Sequence, residues 1–238
     1  MYDGSQYAGW QRQPNALSVQ EVIEDRMSQM LQMPMDIVGC GRTDAGVHAL
    51  EYYAHTETHH TLDDAFLYKL NNFLPSDIAI KDIIKVHEDA HARFDAVLRS
   101  YIYSIHFTKN PFLDKYSFYY QRARLFDVDV LNEFSERIKK LTDFGPFAKY
   151  HSDVKNHNCK LSVCEWKATD TGLELHVSAD RFLRGMVRLI TGACFRFAEG
   201  KINIDDIDRA VEAGEHIKGA WSVPACGLFL SDIRYPYF

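Results

Sequence analysis

The sequence lacks any apolar run long enough for a transmembrane helix. It also lacks an opening basic region followed by an apolar stretch, so no signal peptide is visible. The five cysteines, Cys40, Cys159, Cys164, Cys194 and Cys226, are odd in number and include no C-x-x-C pair. Together these absences predict reduced thiols and a cytoplasmic protein. Internal repeats, low-complexity tracts and charge blocks are missing too. An excess of basic residues is also absent. Lys and Arg number 27 against 33 Asp and Glu, for a net charge of −6. Taken alone, that balance argues against a nucleic-acid binder, but an average can hide a local basic patch.

What is present is an ordinary globular composition. The 238 residues are 46% hydrophobic and 25% charged, enough for one large domain or two small ones. Ser18-Val19-Gln20-Glu21 reads as a capping box, with Val19, Val22, Ile23, Met27, Met30 and Leu31 recurring at helical spacing up to Pro34. Thr61 is positioned to cap a second helix that ends at Pro75, and residues 78–86 read as a strand. From Ser100 the pattern alternates, with Tyr101, Tyr103, Ile105 and Phe107 on one face. Leu131, Phe134, Ile138 and Leu141 mark a helix. Residues 161–168 and 173–179 read as a hairpin about Asp170-Thr171-Gly172. Helices over 182–197 and 204–213 and a strand over 228–233 complete the pattern. Mixed elements joined by hairpins predict an α+β fold with largely antiparallel sheets. A domain boundary is expected near residues 88–96.

The densest local signal is "GCGRTDAGVHAL", residues 39–50. A dinucleotide loop would need glycine at position 44, where Asp44 would instead repel a pyrophosphate. There is no G-x-x-x-x-G-K-[ST] either. Asp44 reads either as an Asx-turn residue or as an ionised carboxylate presented for nucleophilic or base chemistry. His55, His59 and His60, and separately His151, His157, Cys159 and Cys164, carry no recognised zinc spacing. Arg181, Arg184 and Arg188 are spaced to share one side of a helix. Arg188 lies inside the apolar stretch "MVRLITG", where a charge needs a partner anion, and Asp44 is the partner of choice.

Taken together, seven stretches resemble the TruA family of tRNA pseudouridine synthases. They are "YDGSQYAGWQRQP", "SVQEVIE", "GRTDAGVHA", "LPSDIAI", "HARFDAVLRSYIYSI", "RFLRGMVRLITG" and "GLFL", in the family's order and across almost the whole chain. The resemblance implies two α/β domains with antiparallel sheets flanked by helices and the active cleft between them. Residues 1–92 would carry the catalytic aspartate, and 93–238 the tyrosine and arginine motifs. It implies isomerisation of uridine to pseudouridine in the anticodon stem-loop of tRNA (positions 38–40), by a homodimer with no metal or organic cofactor. By the same resemblance Asp44 is the catalytic nucleophile, Tyr101 stacks on the base, and Arg188 pairs with the aspartate. Arg42 would handle the displaced base or RNA backbone, and His48, Arg99, Arg181, Arg184 and Leu228 are further substrate-binding positions.

Glycine at 41 and 46 is expected to let the backbone turn sharply and RNA approach closely. Arg42, Arg93, Arg99, Arg181, Arg184 and Arg188 would form a basic groove on an acidic body. Two departures from the family pattern stand out. Met1 directly precedes Tyr2 where an apolar alternating strand is expected, and Gly145-Pro146 replaces small polar residues in "DFGPF". The first departure supports an alternative reading, a catalytically impaired RNA-binding relative. A metal-dependent hydrolase built on the histidines is a second.

Overall fold

The computed structural model describes residues 1–149, 156–219 and 221–237. The chain divides into two compact units, one of residues 1–97 and 230–238 and one of residues 98–229. The fold is α+β.

In the first unit α1 spans Val19–Leu31, and the Ser18 hydroxyl accepts from the Glu21 N–H as its N-cap. Gln32, in the left-handed region at φ 55°, ends it ahead of Pro34. Three two-residue strands follow: β1 (Val38–Gly39), β2 (His48–Ala49) and β3 (Ala54–His55), with β1 and β3 antiparallel. The second helix, α2 (Asp64–Phe73), starts two residues later than Thr61 would have it. Its cap is Asp63, whose carboxylate accepts from the Phe66 N–H at 2.8 Å.

The strand expected over 78–86 is not there. Only Ile78 takes part in a bridge, with Tyr2, which also bridges Ala49. Backbone bonds from Met1 and Asp3 to Ala79 and Asp77 extend that pairing. Beyond it the amide of Ile80 goes to the Asn71 side chain and that of Ile83 to Asp82, so the segment stays extended without a ladder. Ile84, half-exposed at 50%, shows why an apolar run alone does not make a strand.

In the second unit β4 (Leu98–His106) and β6 (Leu161–Ala168) flank β7 (Gly172–Ala179) in antiparallel register, Tyr101 opposite Val177 and Trp166 opposite Leu175. The short β5 (Phe118–Tyr119) pairs in parallel with the end of β4. The helices are α3 (Val128–Lys139), α4 (Met186–Ala198) and α5 (Ile204–Ala213). Asn203 and Asp206 form a reciprocal capping box on α5. The last strand, β8 (Leu228–Arg234), carries the chain back into the first unit. Phe134, Ile138, Trp166, Leu175, Ile190 and Phe195 are buried between sheet and helices, the apolar faces that the spacing predicts. Gly145–Phe147 makes a 3₁₀ turn that seats Phe144 and Phe147 in this core. Cys40, Cys159, Cys164 and Cys194 are buried free thiols, and Cys226 is partly so.

Candidate active site

Asp44 sits half-buried in the connection between β1 and β2. A turn closes it, the Val47 amide donating to the Asp44 carbonyl at 3.2 Å, and Gly46 supplies the left-handed φ of 77° that the turn requires. Gly41 is not in the left-handed region, so the sharp bend belongs to Gly46 alone.

The turn is braced by the N-terminal motif "YDGSQYAGW". The Tyr2 hydroxyl meets the Thr43 hydroxyl at 2.9 Å. The Trp10 amide donates to the Thr43 carbonyl, and the Gly46 amide to the Tyr7 carbonyl, each at 3.3 Å. Gly9, at φ 99°, lies where a Cβ would collide with the Thr43 carbonyl oxygen. Gly39 leaves room for Trp10 and Tyr52, whose rings stack at 4.0 Å. Tyr52 in turn donates to the Gly41 carbonyl at 2.5 Å. These braces were not recognised as site residues from sequence. The signal was available, because aromatic residues and glycine alternate in a stretch that matches the family.

His48, expected as a substrate contact, is buried at 1% exposure. Its Nδ1 accepts from the Gly4 N–H at 3.1 Å, with an Asp3 carboxylate oxygen at the same distance. The structure thus places this imidazole inside, holding the chain at Gly4, rather than on a surface. Arg42 is exposed.

In the second unit Tyr101 is half-buried on β4, its ring edge-on to Phe182 at 5.0 Å. Two residues along, Tyr103 is fully buried and donates to the Pro224 carbonyl at 2.8 Å; burial pushes its phenol up. Arg188 is half-buried on α4 and donates through Nε to the Val223 carbonyl at 2.6 Å. The three arginines do not share a helical face. Gly185, at φ 72°, is the N-cap of α4, so the helix begins at Met186 rather than 182. Arg184 is exposed in the preceding turn, and Arg181 precedes it with its guanidinium on Asn156 at 3.3 Å. Arg99 donates to the Asp180 carbonyl at 3.1 Å. Leu228 is buried at the start of β8.

The histidines do other work. His55 Nδ1 accepts from the Ala92 amide at 3.1 Å, and its ring meets His91 edge-on at 4.8 Å. Burial, and then His91, lower the His55 pKa. Among the described residues no three His, Cys, Asp or Glu side chains are grouped to hold a metal. His151 lies outside the described residues.

The sequence signature of tRNA pseudouridine synthases matches residues 1–95 and 141–236. The chain belongs to the tRNA pseudouridine synthase family. It is similar to tRNA pseudouridine synthase A of Azobacteroides pseudotrichonymphae, at 42% identity over 99% of this chain and 94% of that protein. It is 40% identical to the Parabacteroides distasonis synthase A, over 99% of this chain and 93% of the relative. The Caldicellulosiruptor bescii protein of the same name is 32% identical over 98% and 96%. The segments Gly41–Ala49 and Arg181–Gly192 fall inside the matched residues, whereas Arg99 and Tyr101 lie between the two matched stretches. No helix among the described residues is long and apolar enough to cross a membrane.

Proposed function

We propose that this chain isomerises uridine to pseudouridine in the anticodon stem-loop of tRNA, with Asp44 as the catalytic carboxylate. The observation that carries the reading is the braced turn. Thr43 and Gly46 on either side of Asp44 are each hydrogen-bonded to the Y-D-G…G-W segment, which fixes the backbone that carries the carboxylate. A uridine in a stem must leave the stack before it can react, and an aromatic ring offsets part of that cost. Tyr101, half-buried and backed by Phe182, supplies the ring in this reading. Arg188 serves as the cationic partner of the Asp44 carboxylate in this reading, and Arg42 handles the displaced base or the RNA backbone.

The chemistry is an internal exchange. The N1–C1′ bond breaks, the uracil turns within the pocket, and C5 bonds to C1′. The proton lost from C5 is balanced by one gained at N1. The carboxylate acts at C1′, at C6 or through C2′, and each route needs it ionised. In this reading the residues up to 92 carry the aspartate, and those from 93 carry the tyrosine and arginines. The protein works in the cytoplasm as a homodimer. The impaired-binder alternative is not favoured, since Asp44, Arg42, Tyr101 and Arg188 are all present.

The test is release of tritium from tRNA labelled at uridine C5. Asp44→Asn should lower the rate by ~10²–10⁴-fold, the range for a group that acts on the reacting atoms. Tyr101→Phe distinguishes ring from hydroxyl: full turnover would limit Tyr101 to stacking, whereas a comparable loss would make its hydroxyl a proton relay. Undiminished activity in Asp44→Asn would sink the assignment.

A further inference from the structure

The end of β4 leads into a surface that the proposed chemistry does not use. His106 is 1% exposed, yet neither ring nitrogen makes a hydrogen bond, and the nearest carboxylate, Asp114, is 3.5 Å from Nε2. A buried imidazole in that state lacks a polar partner it would normally have. It forms part of the wall of a cavity of about 340 Å³ also lined by Thr108, Lys109, Asn110, Arg124 and Thr171, with one carboxylate, Asp170, among its lining residues. Around the cavity, Phe112 and Leu125 are each 87% exposed, and Tyr116 and Tyr119 are partly exposed.

The loop that presents Phe112 is tied down. The Phe112 amide donates to the Asn110 side chain at 3.0 Å, the Leu113 amide to the Asn110 carbonyl at 3.0 Å, and the Tyr116 amide to the Leu113 carbonyl at 2.8 Å. Arg124 reaches back to the Thr108 hydroxyl at 3.3 Å. Residues 108–125 hold Lys109, Lys115, Arg122 and Arg124 against the single carboxylate of Asp114, in a chain whose net charge is −6. The segment also lies outside the residues that the family signature matches.

We propose that residues 106–125 form a second RNA-contacting surface, with the cavity taking a backbone phosphate and Phe112 stacking on an unpaired base. Cations set among exposed aromatic rings are the pattern that binds single-stranded nucleic acid, the cations on phosphates and the rings on bases. An apolar or basic partner would leave the four cations unmatched, and a phosphate seated beside His106 gives its ring nitrogen an acceptor. Five strand steps lead from Tyr101 to His106, about 16 Å at the usual rise, so this surface meets nucleotides other than the flipped one. The inference rests on tRNA being the substrate.

The test uses the full chain, in vitro transcribed tRNA, filter binding at about 50 and 200 mM salt, and the tritium assay. Lys109→Ala/Arg124→Ala should weaken tRNA binding by about tenfold or more at the lower salt. It should also reduce the slope of log K against log salt by about 1.4, two contacts at ~0.7 each on a single strand. Phe112→Ala should cost about tenfold in affinity with the slope unchanged. Both variants should keep the parent kcat at saturating tRNA. Lys109→Arg/Arg124→Lys should restore binding. Affinity and slope within twofold of the parent in the double alanine variant would overturn the inference, whatever it does to protein–protein association. So would a loss that the charge-conserving variant does not restore. Binding needs no turnover, so a parent that binds but releases no tritium fails the catalytic reading and leaves this one intact.

Discussion

At the scale of single residues, the best-anchored charge is Glu199, and it is not in the proposed site. Desolvation pushes its carboxyl up, but Lys201, Tyr120 and Arg196 all bond to it and bring it down to about 2. A carboxyl depressed in the folded state stabilises above its unfolded pKa of ~4.3, and that contribution is lost as pH falls toward 2. Glu199→Gln should therefore lower stability at pH 7 by about 1–3 kcal/mol, the scale of hydrogen bonds to a charged group. The difference from the parent should shrink between pH ~4.5 and 2. Urea unfolding at pH 7 and pH 3 checks this, and an equal gap at both would point to lost packing. Nothing in the sequence announces Glu199. Its partners are 79 residues away at Tyr120 and close by at Arg196 and Lys201, and only the fold joins them. The turn at Asp44 was legible for the opposite reason, because Gly46, two residues on, supplies its positive φ, whereas the bracing from Tyr2, Tyr7 and Trp10 was not.

At the scale of elements, α4 depends on having no side chain at one point. A Cβ on Gly192 would overlap the Trp221 carbonyl oxygen, and the helix packs there without room to yield. Gly192→Ala should cost about 1–3 kcal/mol by overpacking, although alanine is the better helix former. A lower thermal midpoint confirms it, and an unchanged or raised one refutes the close packing. The same helix shows where sequence reading stopped. Its apolar period was plain, but its start was hidden, because one residue with positive φ, Gly185, breaks a pattern that periodicity carries through. The shared arginine face disappeared with that turn. Residues 78–86 failed differently, since a strand is defined by partners that apolar content does not supply. The 161–179 hairpin and α5 were read almost to the residue, because turn and cap chemistry lie next to the elements they end.

At the scale of the whole molecule, net charge and function pull in different directions. A chain at −6 that binds a polyanion must gather its cations, so its affinity for tRNA should fall steeply with salt despite the acidic average. Binding measured from about 50 to 200 mM salt checks this, and a flat response would leave no basic surface to explain.

The cysteines carry a different consequence. Burial pushes the thiols of Cys159, Cys164, Cys194 and Cys226 up, to about 11 for Cys159 and about 12 for Cys194. Cys159, Cys164 and Cys194 are buried as well, so at neutral pH they offer little of the thiolate that oxidants and alkylating agents attack. For these three the folded chain carries its own record of unfolding: a sulfur that becomes marked is one that has been to the outside.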